Sequence, residues 1–555
     1  MIERRRRSVL AAALAFGCVA ACAEEPGEAR DGALEPRYGG TLVVAGPSDL
    51  DHANSLVTAE AYTQQINRFA LFLPLVRFAP DLSLEPALAE SWELSGDTAV
   101  VFRLRRDVSW HDGVPTTAED VAFTFTRAKD PATGFPNSDY FTAWNAVEVV
   151  DSFTVRFRFE PHFEPLAALP FLPIMPRHRL ESVPPAEMRQ APFNKAPVGN
   201  GPFRFVEYRA NDRWIFEANP AFPEELGGRP YVDRLVWRVV VDPTAQVTEI
   251  RTGQVDLVMT PRADDLAALE ADPQVRTIVS PSRQYAFIGW NHRHEPLGDA
   301  RVRRALSMAI DRQEIIDALR AGHGTLAAGP VPPHHWAHDE ATEPLPFDTA
   351  AARGLLAEAG YSDRTGDRTL EDAAGRPLRL VLQFPAASDF NRDMAQMIQA
   401  DLAAIGVQLE IRPTDFATLI QNISQPARSF EAVLMGWESD FRLNVRDLFH
   451  SDQAGTGPFA LAGYRNAEVD ALLEAAARAR SRNEARSAWR RFQRILRDEQ
   501  PWTFLYYYPE FTAVRDRVHG VEVDLRGRLI RLPQWWIQDG AVTAAAPDSS
   551  PAVGR

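Results

Sequence analysis

Apolar and polar residues alternate in a regular way through the second half of the chain. Residues 378–384 carry leucine or phenylalanine at every second position, which is the spacing of one face of a strand. Residues 391–405 then follow a helical pattern that Gly406 ends, and residues 407–411 form the next predicted strand. Strands and helices in this order are typical of a parallel sheet in an α/β fold.

Apolar residues at helical spacing predict further helices on either side of this region. Between Val302 and Ala309 they recur three and four positions apart, which predicts a buried stripe on one face. Residues 350–359 predict a helix that ends at Gly360. Residues 470–497 are amphipathic and predict one long helix with its charges toward solvent.

The first half of the chain has one stretch in which strand, turn and helix signals follow closely. Residues 98–104 predict a half-buried strand. Thr116 or Thr117, with an acidic residue three positions later, has the spacing of a capping box and predicts the start of a helix. His111 and Asp112 could also act as a general base and its orienting group. Turn and capping chemistry account for the same residues and are favoured.

The N-terminal residues 1–22 are predicted to be a lipoprotein signal peptide. Four arginines precede the apolar run 9–21, which is shorter than the roughly 20 residues that a membrane span needs. Residues 19–22 resemble a bacterial lipobox, in which cleavage precedes the cysteine and Cys22 carries the lipid. The general secretory route is favoured, with twin-arginine export through Arg6 and Arg7 as the alternative.

Composition narrows the classes of function. The formal net charge is −15, and it becomes −18 without the leader, which has four arginines and one glutamate. So acidic a chain is a poor candidate for binding nucleic acid or for broad adhesion to anionic lipid, which leaves the lipid anchor as the membrane link. Both cysteines lie in the leader region, so neither a disulfide framework nor a cysteine-ligated metal site is expected.

The order of short motifs along the chain resembles one family. Residues 88–92 read Leu-Ala-Glu-Ser-Trp, and residues 110–121 read Trp-His-Asp-Gly-Val-Pro-Thr-Thr-Ala-Glu-Asp-Val. This stretch resembles the extracytoplasmic solute-binding proteins of family 5, the receptors of ABC importers for dipeptides, oligopeptides and nickel. The resemblance continues in order through residues 172–178, 197–205, 219–220, 251–257, 291, 301–312 and 436–441.

The resemblance implies an α/β fold of the two-lobed, periplasmic-binding-protein-like type II, with an extra subdomain. The expected division is a signal peptide at 1–22, a flexible tether at 23–36, lobe I at 37–75, 196–287 and 512–540, the extra subdomain at 76–195, lobe II at 288–511, and a disordered tail at 541–555.

The function implied by the resemblance is capture of a ligand, for which a peptide is expected, between two lobes that close around it. The receptor would be a monomer without a cofactor or catalytic residues. It would work in the periplasm or at the cell surface, anchored only by lipid on Cys22, and would deliver its ligand to an ABC permease and its ATPase subunits.

The expected site follows the apolar residues 432–435. In the resemblance, Trp437 lines the ligand cavity and Asp440 pairs with the α-ammonium group of the peptide, although an aspartate after a strand is often only a turn residue. Tyr506 and Tyr508 would share one face of a late strand and could contact the ligand. Asn291 is a further candidate, near a crossover between the lobes.

Other ligands and one other class of protein stay open. An oligosaccharide, an opine, a metal chelate or haem would suit the same fold, and the 12 tryptophans keep sugars plausible. A hydrolase could use Glu438 and Asp440 as acid and base, but no G-x-S-x-G or H-E-x-x-H motif and no nucleophilic cysteine supports it. The histidines at 334, 335 and 338 could suggest Ni²⁺ or Zn²⁺. A surface loop is favoured there.

Overall fold

The computed structural model describes residues 35–424, 428–439, 441, 443, 445–455, 457 and 459–538. Its strands are β1 Thr41–Gly46, β2 Val76–Phe78, β3 Leu84–Pro86, β4 Ala89–Ser95, β5 Ala99–Leu104, β6 Trp144–Asp151, β7 Thr154–Phe159, β8 Phe203–Arg209, β9 Arg213–Ala218, β10 Arg234–Val239, β11 Leu257–Val258, β12 Val275–Trp290, β13 Thr325–Leu326, β14 Arg379–Pro385, β15 Gln408–Thr414, β16 Ala432–Glu438, β17 Trp502–Arg515, β18 Val518–His519 and β19 Trp536–Ile537.

The helices alternate with these strands. They are α1 Ala61–Ile66, α2 Ala118–Lys129, α3 Arg177–Leu180, α4 Pro243–Thr252, α5 Leu266–Glu270, α6 Glu295–Gly298, α7 Ala300–Ala309, α8 Arg312–Leu319, α9 Thr349–Glu358, α10 Asp389–Ala404, α11 Phe416–Ile423, α12 Arg446–Phe449, α13 Ala467–Arg478 and α14 Arg482–Glu499. A π-helical turn spans Asn67–Leu71, and 3-10 turns span Ser138–Phe141, Pro165–Phe171, Pro185–Gln190, Pro192–Lys195, Glu224–Leu226, Ala263–Asp265 and Leu532–Gln534. In the part of the chain that the structure describes, no helix combines the length and the apolar character that a membrane crossing requires.

One large sheet runs through both lobes. Its strand order is β15-β14-β16-β12-β17-β11-β1-β10-β9-β8, with β13 beside β17. The long antiparallel strands β12 and β17 pair along most of their length and therefore belong to both lobes. The fold is thus the two-lobed α/β architecture expected from the sequence, with a separate four-stranded sheet β4-β5-β7-β6 as the extra subdomain.

The β12–β17 pair changes its register between the two lobes. Residues 275–280 pair with 510–515, and after a shift between Pro281 and Tyr285 the pairing resumes toward Trp502. Pro281 lies opposite Pro509 just before the shift. Because proline has no N–H to donate, neither strand can donate a ladder hydrogen bond from this pair of residues.

Separate apolar cores fill the two lobes. The larger of two cores in lobe I combines residues of β1 and β10, such as Leu42 and Trp237, with residues of the extra subdomain, such as Phe102 and Phe157. Lobe II has two cores, one on each side of its part of the sheet. The extra subdomain therefore shares its interior with lobe I, while the residue boundaries derived from the sequence stay predictions.

Most elements predicted from periodicity are confirmed. β14, α10 and β15 follow in the expected order, and α2 begins after Thr117, whose N–H donates to the Asp120 carboxylate at 2.9 Å. The prediction of a single long helix at 470–497 is wrong. Ser481 lies between two helices, because its hydroxyl accepts the N–H of Glu484 and starts a second helix, α14, after α13.

Candidate functional site

The two lobes contact each other through aromatic and polar side chains. Phe441 of lobe II stacks on Phe78 with 5.2 Å between ring centroids and lies 5.4 Å from Phe171. At a second contact, the Arg482 guanidinium of lobe II donates to the Glu164 carboxylate at 2.5 Å. The structure is therefore a form in which the cleft between the lobes is bridged.

The end of β16 lies beside this bridge and is firmly held. Ser439 donates its N–H to the Arg283 carbonyl oxygen at 2.9 Å, and Arg283 Nη1 donates to the Ser439 carbonyl oxygen at 2.7 Å. The Ser439 hydroxyl donates to the Pro330 carbonyl oxygen at 3.1 Å. Asp440 follows directly but lies outside the described residues, so its role as the amine anchor stays a prediction.

Trp437 and Glu438 precede Ser439, which these hydrogen bonds hold in place. The half-buried Trp437 ring packs edge-on against Phe459 and Trp502, with centroids 5.5 and 6.4 Å apart. Glu438 is exposed and accepts a hydrogen bond from Arg283. Trp437 has an aromatic surface next to the cleft, as a pocket wall requires, although its contact with a ligand stays a prediction.

The three late tyrosines alternate along β17 as expected. Tyr506 and Tyr508 pack against one core of lobe II, with their ring centroids 5.2 Å apart, and Tyr507 belongs to the other. The Tyr507 hydroxyl donates to the Gly329 and Val331 carbonyl oxygens. The Arg320 guanidinium lies 4.5 Å from the Tyr508 ring, and burial raises the pKa of Tyr506. Ligand contact by Tyr506 and Tyr508 stays a prediction.

Asn291 is buried at the end of β12. Its Nδ2 donates to the Phe430 carbonyl oxygen at 2.7 Å, and its Oδ1 accepts the N–H of Arg293 at 3.2 Å. The amide therefore holds the chain that leaves β12 against the chain that enters β16. A contact of Asn291 with ligand stays a prediction.

Charged residues that none of the sequence motifs indicates surround the bridge. The Arg283 guanidinium lies 4.2 Å from the Phe441 ring. Glu510 pairs with Arg528 at 3.0 Å, and its pKa is raised mainly by burial and also by Glu438. The Arg68 guanidinium lies over Phe171, with 5.0 Å to the ring centroid. Nothing in the local sequence marks these residues, because each acquires its surroundings from distant parts of the chain.

His111 and Asp112 have structural contacts instead of a catalytic arrangement. His111 Nδ1 accepts the N–H of Gly199 at 3.2 Å, and its Nε2 lies 3.0 Å from the Gly201 carbonyl oxygen. Burial lowers the pKa of His111 to about 4, so the ring is neutral. Asp112 contacts His178 at 2.9 Å. The ring of His111 thus ties the loop before β8 to the turn before α2.

The histidines at 334–338 lie in a loop, as expected, but the loop is largely buried and not at the surface. His335 is 7% exposed; its Nε2 lies 3.1 Å from the Phe441 carbonyl oxygen and its Nδ1 accepts the N–H of Ala337. His338 Nδ1 donates to the Val331 carbonyl oxygen. The predicted exposure was wrong because the His335 ring is buried against the carbonyl group of Phe441. Among the described residues, no group of three or more His, Cys, Asp or Glu side chains is arranged to hold a metal ion.

Comparison with known proteins identifies a matching family model and many relatives. The model of the bacterial extracellular solute-binding proteins, family 5 Middle, matches residues 83–449. The oligopeptide-binding protein AppA of Bacillus subtilis is 29% identical over 515 residues, which are 92% of this chain and 94% of AppA. Heme-binding protein A of Haemophilus influenzae is 31% identical over 461 residues, which are 79% of this chain and 81% of that protein.

A solved structure of such a relative has the same fold. The oligopeptide-binding protein AppA from Bacillus subtilis, in complex with a nonapeptide, superposes with a TM-score of 0.73 at 27% sequence identity. The match covers 91% of this chain and 100% of that chain.

Proposed function

The chain belongs to the bacterial extracellular solute-binding proteins of family 5, and on this premise we propose that it is the receptor of an ABC importer that captures peptides. The peptide would bind in the cleft between the lobes and would be delivered to the membrane permease and its ATPase subunits. The receptor would bind its ligand and release it unchanged.

One observation carries the proposal. The end of β16, with Trp437 and the clamped Ser439, lies at the bridge that Phe441 makes between the lobes. A ligand held there would touch both lobes and would favour the closed form, which is the form a permease can recognise. Because peptides present many backbone donors and acceptors, strand ends around a cleft suit them without demanding one sequence.

The relatives support a peptide over the other ligands. AppA is named for oligopeptide binding, and its solved structure holds a nonapeptide. Haem is the alternative that a relative's name supports. Native mass spectrometry of residues 23–555, purified from an exporting host without denaturation, tests the choice. Heterogeneous added masses that fragment as short peptides would support the proposal, and a single haem mass would overturn the peptide part of it.

Asp440 is the proposed amine anchor. Asp440→Ala is expected to weaken peptide binding by about 3–5 kcal/mol, because the ammonium group would be buried without its counter-charge. Titration calorimetry with tri-alanine measures this, and Asp389→Ala, which removes an exposed carboxylate of the same lobe, is the matched control. An unchanged dissociation constant for Asp440→Ala would remove Asp440 from the site.

The remaining parts of the proposal concern location and assembly. We propose that the protein is a monomer held at the membrane by lipid on Cys22, which lies outside the described residues together with the predicted signal peptide, most of the tether and the tail. Labelling with radioactive palmitate in cells, with Cys22→Ser as the control, tests the anchor. No turnover of a fluorogenic peptide is expected, and measurable turnover would favour a hydrolase that uses Glu438 and Asp440.

A further inference from the structure

An unusual backbone turn presents Arg68. Helix α1 ends at Ile66 and continues as a π-helical turn at Asn67–Leu71. π-Helical turns are rare and occur often at functional sites, because the extra residue in the turn redirects side chains at a cost in helix stability. The turn directs the Arg68 guanidinium onto Phe171, which in turn packs on Phe441 of lobe II. Arg68 thus lies next to the contact between the lobes.

Arg68 also lines a cavity of about 390 Å³ in lobe I. Three other arginines line the same cavity, and each has a carboxylate partner: Arg77 with Glu85 at 2.6 Å, Arg526 with Asp524 at 2.7 Å, and Arg531 with Glu522 at 2.9 Å. Arg68 has no hydrogen bond or ion pair within the residues that the structure describes. Among the described residues, its guanidinium lies over the rings of Phe69 and Phe171, at 5.2 and 5.0 Å from their centroids.

This environment is unfavourable for a guanidinium without an anion. Burial, and the nearby positive charge of Arg283, lower the pKa of Arg68 to about 10. The Arg68 side chain is half-buried, so its N–H donors keep only part of their hydration, and the flanking aromatic faces compensate only in part. A carboxylate can take two of these donors in the bidentate geometry that arginine favours. The missing partner of Arg68 therefore has the chemistry of an anionic oxygen acid.

We propose that Arg68 binds a carboxylate group of the captured ligand at the mouth of this cavity. The inference rests on the proposed receptor function and deepens it, because it specifies that the ligand carries a negatively charged carboxylate group. The side chains of Leu73, Phe222 and Ile530 also line the cavity and would receive the apolar part that adjoins the carboxylate. In a peptide the carboxylate is either the C-terminus or an acidic side chain, and both have the same chemistry.

Peptide probes of matched size distinguish these sources. The probes for titration calorimetry are tetra-alanine, tetra-alanine amide, and Ala-Ala-Glu-Ala amide with its Gln counterpart. For wild type, affinity is expected to fall 10–100-fold from the acid to the amide if the C-terminus binds Arg68, and from Glu to Gln if the side chain does. Arg68→Gln should remove that preference, whereas Arg77→Gln, in the same cavity, should retain it.

The controls separate this inference from the receptor function itself. Arg68→Lys keeps the positive charge but lacks the planar guanidinium that binds a carboxylate through two N–H groups. This variant is expected to recover part of the preference for the charged peptide. Thermal unfolding of each variant verifies that it is folded. If wild type and Arg68→Gln bind the charged and neutral probes equally, the inference is overturned while peptide binding stands. Equal loss in Arg68→Gln and Arg77→Gln would also overturn it, because the cavity as a whole would then be responsible. If no probe and no co-purified peptide binds wild type, the receptor proposal itself fails.

Discussion

Arginine side chains lie buried inside lobe II and half-buried at the cleft edge of lobe I, and their surroundings differ. Arg303 of α7 is 3% exposed, and its three nitrogens donate to the carbonyl oxygens of Leu297, Gly298, Glu499 and Gln500 at 2.8–3.1 Å. Arg312 of α8 likewise donates to the carbonyl oxygens of Ala327, Leu345 and Phe504. Arg68 has two aromatic rings and no acceptor among the described residues.

The difference separates a structural role from a binding role. A guanidinium whose donors are all taken by backbone carbonyl groups joins loops and helix ends that have no other donors. A guanidinium left without acceptors costs free energy in the empty protein, and that cost is offset only when a ligand supplies them. Arginine therefore stabilises lobe II without any ligand, whereas at the cleft it stabilises the protein only when a ligand is bound.

Loss of Arg303 should have the largest effect. Arg303→Met is expected to lower the free energy of unfolding by about 3–5 kcal/mol, because the carbonyl groups of four residues, of which Leu297 and Gln500 are buried, lose their donor. Urea unfolding followed by tryptophan fluorescence measures the change. Arg301→Met on the same helix, where Arg301 is half-exposed and pairs with Asp299, is the control and should cost less than about 1 kcal/mol. An equal loss of unfolding free energy in the two variants would show that the hydrogen bonds from Arg303 to carbonyl groups are not what stabilises lobe II.

Acid should destabilise the fold through His111, because the protonated ring no longer accepts the hydrogen bond that it receives in its neutral form. His111 has a pKa lowered from its ordinary 6.5 to about 4, mainly by burial. The unfolded chain binds the proton at higher pH than the folded one, so stability falls as pH decreases from 6.5 toward 4 and levels off below that. For a shift of this size the loss is about 3 kcal/mol. A protonated ring would also direct an N–H toward the N–H of Gly199.

His111→Gln isolates this contribution. An amide can donate and accept as the neutral ring does but does not titrate, so the variant should lose less stability than wild type between pH 7 and pH 4.5. Carboxylates titrate in both proteins and cancel in the difference. The buried rings of His292 and His334, whose pKa values are lowered to about 3 and about 4, titrate in the same direction in both. Parallel pH profiles for the two proteins would contradict the assignment to His111.

Local periodicity predicted most of the fold. The strand at 378–384 and the helix at 391–405 could be predicted because each buries one face against its neighbours, which leaves the pattern in the sequence. The break between α13 and α14 could not, since the amphipathic pattern continues across it and only the side chain of Ser481 divides the helices.

The candidate site was less predictable. Trp437 follows a recognisable strand and belongs to a motif, so its position beside the cleft could be expected. The position of Arg68 could not be expected, because nothing near it in the sequence indicates that its guanidinium lies over Phe171 or that Phe441 of lobe II packs on that ring. His335 was misjudged for the same reason, since its partner is the carbonyl group of Phe441. Residues whose roles depend on distant partners leave no local signal.

The smallest expected effect has the opposite sign. Arg68→Met should leave the free energy of unfolding of the ligand-free protein unchanged or raise it by up to about 1 kcal/mol, because an apolar side chain of similar length suits the two rings better than an unpaired cation. Urea unfolding after removal of co-purified ligand by partial denaturation and refolding measures it. Arg77→Met, which breaks a pair with Glu85, is the control and should be neutral or slightly destabilising. A loss of more than about 2 kcal/mol in Arg68→Met would mean that Arg68 stabilises the folded chain as Arg303 does. The contrast between the two regions would then be lost.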